Sequence, residues 1–459
     1  MRSRRDFLKA AASGLAGLTV PYAFDPRALR AAAGVNRSSR HYTIESVDRV
    51  TVRVPFRPAP QRAMDRELPH WRYAEIFQVR LRSGMVGLGE TMLFYTWGRT
   101  TDEEVKQALG KNAVDIMWDD KFGAGLQIAL FDAVAKTAEV PLYRLLGKKV
   151  NEKTPLSWWN IDMAVEDMPG ECALAHKTGY MSYKTKGRPW FDIWKQVEES
   201  VKVVPPEFKI DMDFNSTLLT AEQGMGIIKD LEKHPQIDIY ESPIPQGDVA
   251  GNKAITEATR VNIALHYGSP RPAVCVKEEC CDGFVVGGGA SRVLNQALFC
   301  GQVDMPFWLQ IVGTGISAAF SLHFGAVSEA ARWPAVNCHQ LFTHSMLSKD
   351  IVVENGFAKI PEGPGLGYEL DRDAVEKFRV DMPADRPNPA RIVEVSWPDG
   401  RKMYFGASHT NFMVSPAGRP GNMPYYERGV DARLLPNDGS KEWRDLYERS
   451  VKKPVMVKS

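Results

Sequence analysis

Three short stretches bring ionisable side chains together at strand-like spacing. Tyr183-Lys184-Thr185-Lys186-Gly187 sets two lysines two positions apart, and on an extended strand such residues share a face. Two ammonium groups held that close repel, which favours loss of one proton and an amine able to act as a base. The same pair would also suit a solvated surface just before a loop. Ile210-Asp211-Met212-Asp213-Phe214-Asn215 places Asp211, Asp213 and Asn215 on one face, and Tyr240-Glu241-Ser242-Pro243 ends another apolar run on an acid. Carboxylates converging from neighbouring strands need a cation between them. Singly, each acid serves equally well as a helix cap or a solvated loop charge. Their succession, each after an apolar run, favours a metal site.

The elements that must position these groups follow from the pattern around them. Short apolar runs at 156–159, 181–184, 208–210, 237–240, 261–265, 283–286 and 306–309 alternate with helical stretches. Repeated β-then-α units of this kind predict a parallel sheet closed into a barrel over residues 154–348, with the active site at the C-terminal strand ends. Before it, β-type alternation at 41–53, 74–81 and 86–90 precedes helical patterns at 102–109 and 126–138, which predicts a small α+β domain over residues 40–153. Residues 349–380 follow the barrel. Beyond residue 381 the chain is rich in Pro, Gly and Arg, and Pro398-Asp399-Gly400 marks the turn of a hairpin at 391–405. Residues 381–459 therefore read as an extension carried on the surface.

The 459 residues, 44% hydrophobic and 25% charged, suit a globular protein of two or three structural units. A net charge of +2, with no basic stripe, excludes nucleic acid as an expected partner. Six cysteines without a CxxC pair make no disulfide framework; Cys280-Cys281 is either redox-active or a pair of buried fillers. Ser3-Arg4-Arg5-Asp6-Phe7-Leu8-Lys9, ahead of a mild apolar run over residues 10–20, matches a twin-arginine export signal over residues 1–35. Cleavage is expected near Ala31-Ala32-Ala33 or Tyr22-Ala23. The run is too short for a stable membrane anchor. The expected partner is the twin-arginine export machinery, and the expected location is the periplasm.

Lys-x-Lys, then Asp-x-Asn, then Glu-x-Pro, each one βα unit apart, resembles the signature of the enolase superfamily, in its mandelate racemase/muconate lactonizing enzyme branch. Val86-Gly87-Leu88-Gly89-Glu90, Ala129-Leu130-Phe131-Asp132 and Pro361-Glu362-Gly363-Pro364-Gly365-Leu366-Gly367 are similar to further family segments, so the resemblance covers residues 41–380. It implies an α/β fold: a modified TIM barrel, (β/α)7β, with an α+β N-terminal capping domain and, over residues 349–380, a segment that returns to the cap. It also implies proton removal next to a carboxylate through an enediolate. Lys186 would be the base, Lys184 its cationic neighbour, and Asp213 and Glu241 ligands of Mg2+ or another divalent cation. The substrate would be a small carboxylate, such as a sugar acid or its lactone, and the protein a homo-oligomer.

The pattern also breaks. The third acid expected on the fifth barrel strand is absent from Ala264-Leu265-His266-Tyr267-Gly268. His266 is either a nitrogen ligand, which suits a softer ion than Mg2+, or a structural histidine. The sixth strand carries no ionisable group after Asp282, and the seventh has Gln310 where a histidine is expected. A second base for racemisation is thus missing, leaving one-base elimination or cycloisomerisation, metal-free acid–base work by His266, Tyr267 and the lysines, or a binding or scaffold role. Asn215, Tyr267 and Gln310, with the early loop residues His70, Trp71 and Arg72, are the expected substrate contacts.

Overall fold

The computed structural model describes residues 39–95, 98–414 and 425–457; the expected export leader lies outside them. Alternating branched and polar residues build three antiparallel strands in the order β1 (Ile44–Arg53), β2 (Tyr73–Leu81), β3 (Val86–Met92). The helix Gly123–Thr137 lies against them almost wholly buried. Its approach requires glycine opposite: a Cβ on Gly87 would sit 2.0 Å from Ala129 O, and one on Gly89 2.1 Å from Gly125 O.

Seven parallel strands follow in sequence order, each succeeded by a helix: β4 (Lys153–Trp159), β5 (Ser182–Lys186), β6 (Lys209–Asp213), β7 (Ile237–Glu241), β8 (Asn262–His266), β9 (Gly283–Val286) and β10 (Phe307–Leu309). An eighth, β11 (Ala335–Val336), pairs with β4, and Gly313 N–H donates to Asn337 O across the remaining seam. The architecture is the expected (β/α)7β barrel with a capping domain. At two residues, β11 is too short to leave a periodic signal. The return segment adds a hairpin, β12 (Val353–Glu354) and β13 (Phe357–Lys359), antiparallel to the start of β4.

The cap is bonded to the barrel through buried side chains. Glu90 accepts from Ser317 N and Thr314 Oγ1, both at 2.7 Å, at the start of the helix Gly315–Val327. Gln127 accepts from Ala290 N, and Asp120 from Ser291 N and Arg292 N, at the start of the helix Ala290–Gln302. Neither helix has a capping side chain of its own, so carboxylates and an amide from the cap satisfy the orphan N–H groups. Asp132 accepts from Leu88 N and Leu366 N, both at 2.7 Å, which joins β3 to the return segment.

The C-terminal extension is more than the expected hairpin. β14 (Ile392–Ser396) and β15 (Lys402–Gly406) form it, and β16 (Asp431–Leu435) and β17 (Val455–Val457) complete a sheet in the order β16-β14-β15-β17. This sheet buries its own core, with Val393, Val395 and Phe405 packed on Trp190 and Phe191 from the loop after β5. The Tyr426 hydroxyl donates to Gly187 O at 2.9 Å and lies 2.6 Å from Thr217 Oγ1. Among the described residues no helix is long and apolar enough to cross a membrane.

Replacing Asp132 by alanine strands two buried N–H groups, each costing about 1–3 kcal/mol. Denaturant unfolding of Asp132→Ala is expected to show a loss of roughly 2–5 kcal/mol; an unchanged midpoint would refute this role.

Candidate active site at the barrel mouth

Register aligns the charged residues. Lys186 is the Cα partner of Asp213, and Asp213 is the partner of Glu241, so three adjacent strands end level. Lys184 lies one inward position deeper, beside Asp211. Each lysine is ion-paired to its own acid: Lys186 to Asp213, and Lys184 to Glu241. The expected pair of mutually repelling amines is therefore not what the strands deliver. Burial opposes the charge on Lys184, yet Glu241 and Asp213 outweigh it and raise its proton affinity above that of an ordinary lysine. Burial likewise opposes ionisation of Glu241, but Lys184 and His266 prevail and hold it below the usual carboxylate range.

The surroundings fix these groups. Lys184 Nζ lies 3.4 Å from Gln310 Oε1 and 4.8 Å from the centre of the Trp308 ring, a cation–π distance. Asn215, in the left-handed region at φ 44°, donates its N–H to Asp213 Oδ1 at 2.8 Å and accepts from Lys186 at 3.2 Å. Arg188 also donates to Asn215 Oδ1, at 2.7 Å, and its Nε pairs with Asp162 at 3.1 Å. His266 Nε2 lies 2.9 Å from Glu241 Oε1, and its backbone N–H donates to Gln246 Oε1 at 2.7 Å.

A cleft of about 580 Å³ opens above β8–β10, lined by His266, Tyr267, Gln310 and Arg292, with Tyr95 and Asp120 from the cap. Lys184, Lys186, Asp213, Glu241, Asn215, His266 and Gln310 are thus gathered at one mouth. Tyr267 reaches the cleft while its ring packs edge-on against Phe284 and Phe299. In the early loop, Trp71 stacks on Trp159 and meets Tyr95 edge-on, behind the cleft wall. Arg72 is turned away, paired with Asp65 and stacked over Phe56. His70 is buried, its proton affinity lowered to about 4 by burial and by Arg386 and Arg391. Asp162, Arg188, Gln246 and Trp308 went unread in the sequence. Arg188 continues the two-residue spacing of the lysines, and Asp162 follows the first barrel strand, so both carried a signal.

The divalent ion implied by the resemblance does not suit these donors as arranged. Both acids are neutralised by lysines, one Asp213 oxygen already accepts a backbone N–H, and the third place holds an imidazole. The Glu241 carboxylate is met by the Lys184 ammonium on one oxygen and by His266 Nε2 at 2.9 Å on the other. Among the described residues, no three His, Cys, Asp or Glu side chains are placed to hold a metal ion.

Residues 167–374 match the family described as enolase C-terminal domain-like. Arabinonate dehydratase of Saccharolobus solfataricus is 23% identical over 66% of this chain and 89% of its own. Muconate cycloisomerase 1-2 of Acinetobacter lwoffii is 23% identical over 74% of this chain and 96% of its own. The muconate lactonizing enzyme of Pseudomonas fluorescens, solved with muconolactone, superposes with a TM-score of 0.60 at 20% identity, covering 74% of this chain and 100% of that one. These matches place residues 167–374 in the enolase C-terminal domain-like family and give the chain the fold of the enolase superfamily. The proteins it is similar to include cycloisomerases and a dehydratase.

Asp211 stands apart, buried below the mouth, with Oδ2 accepting from Ser182 and Oδ1 without a partner. Burial, then Asp238, raises its proton affinity well above that of an ordinary carboxyl. A carboxyl whose folded value is raised destabilises the fold progressively as pH climbs above the unfolded value of about 3.9. Asp211→Asn removes that dependence. Its melting temperature should fall less than the parent's between mild acid and neutral pH; parallel slopes would refute the assignment.

Proposed function

We propose that this chain is an enzyme of the lyase or isomerase type that removes the proton α to the carbonyl of a carboxylic acid or lactone. The supporting observation is the level arrangement of Lys186, Asp213 and Glu241 on three adjacent strand ends, joined through His266 and Gln310 to the wall of a cleft large enough for a small acid. Lys186 is the more exposed of the two amines and is the base. It acts once its proton passes to its partner Asp213, which leaves a neutral amine facing the substrate. Negative charge developing on the substrate carbonyl is met by the fixed Lys184 ammonium. Arg292, exposed on the cleft wall, is placed for a substrate carboxylate. Gln310 cannot take a proton on the opposite face, so elimination or cycloisomerisation is favoured over two-base racemisation.

A second reading, a barrel that binds without reacting, draws on the same ion pairs, since every acid and amine at the mouth already has a partner. Deuterium wash-in from heavy water over sugar acids and their lactones separates the two. Solvent deuterium is expected at the α-carbon, and Lys186→Ala should slow the exchange by about 10²–10⁴-fold. Exchange at the parental rate in that variant would exclude the base. No exchange from any acid or lactone would favour the binding reading.

The Arg4-Arg5 leader supports export of the folded chain to the periplasm by the twin-arginine machinery. Arg4→Lys with Arg5→Lys should keep the protein in the cytoplasmic fraction; unchanged periplasmic yield would refute this route.

A further inference from the structure

We infer that the resident cations of Asp213 and Glu241 are the lysines themselves, with Lys184 caged against Glu241, and that the site is complete without a divalent metal ion. The Lys184 ammonium is 2% exposed and enclosed on several sides: by the Glu241 carboxylate, by Gln310 Oε1 at 3.4 Å and by the face of Trp308 at 4.8 Å. An ammonium has three donors and no acceptor, so this cage holds it as a resident cation.

Charge counting agrees. Two carboxylates and two ammonium groups sum to zero, and the neighbouring Asp162–Arg188 pair is also balanced. Adding a dication would leave two uncompensated positive charges in a buried site, which low dielectric penalises heavily. To admit it, Lys184 would have to leave its enclosure. The third place offers a nitrogen, whereas Mg2+ requires oxygen donors. Gln246 holds that residue in place through the His266 N–H at 2.7 Å and through Ser242 Oγ at 2.9 Å. The histidine beside Glu241 and the caging of Lys184 thus point the same way: the inner cluster has no third anion and keeps a lysine as counter-charge.

The probe is Mn2+, counted by electron paramagnetic resonance on the full-length purified chain after exposure at millimolar concentration and gel filtration. The parent is expected to retain no stoichiometric Mn2+. Lys184→Met combined with His266→Asp removes the resident ammonium and supplies a third carboxylate, so it should gain about one ion per chain. One ion per parent chain, lost in Asp213→Asn, would overturn the inference; the parent measurement decides it even where the double variant fails to fold. The readout is independent of catalysis. A chain that retains no ion and exchanges no substrate leaves this inference standing while overturning the proposed reaction. Exchange that a chelator abolishes and Mn2+ restores overturns the inference while sustaining the reaction.

Discussion

Parallel register across β5, β6 and β7 is the constraint from which the mouth of this barrel follows. The backbone ladder sets Lys186, Asp213 and Glu241 side by side, roughly 4.8 Å from strand to strand. At that spacing charges cannot ignore one another. A slip of one residue in β6 would turn Asp213 and Asn215 outward and present Met212 and Phe214 to the amines. Closure of the barrel, which leaves β6 no freedom to slide between its neighbours, is what maintains the ion pairs.

The opposite wall of the mouth depends on the cap. Two of the helices on the far side of the mouth begin without capping side chains, and Glu90, Asp120 and Gln127 supply the missing acceptors. The cleft wall and its support therefore come in part from the same domain: Tyr95 and Asp120 line the cleft while Asp120 also holds a barrel helix. A cap that rocked open would unsatisfy buried backbone groups, so the mouth stands preformed.

Much of this was legible in the sequence. Apolar runs at even intervals disclosed seven of the eight barrel strands, because each leaves a short apolar run and is followed by a helix. The lysines and acids were legible for the same reason, since two-residue spacing at a strand end has one geometric meaning. What escaped depends on contacts between distant segments. Arg72 belongs to Asp65 and Phe56 rather than to the cleft, a choice made by the fold of the loop and invisible in its composition. The pairing of each lysine with a separate acid required knowing the register, and the four-stranded C-terminal sheet required β16 and β17, which lie far from the hairpin they extend.

The Tyr426 hydroxyl on Gly187 O and the Trp190–Phe191 contact with β14–β16 bear on the order in which the molecule is made. Chains emerge from the ribosome N-terminus first, and domains fold as they appear. The lysine-bearing strand is synthesised more than two hundred residues before the tyrosine that steadies the loop behind it. The barrel can thus close early, but the segment following Lys186 acquires its final partner only once more than two hundred further residues have been made.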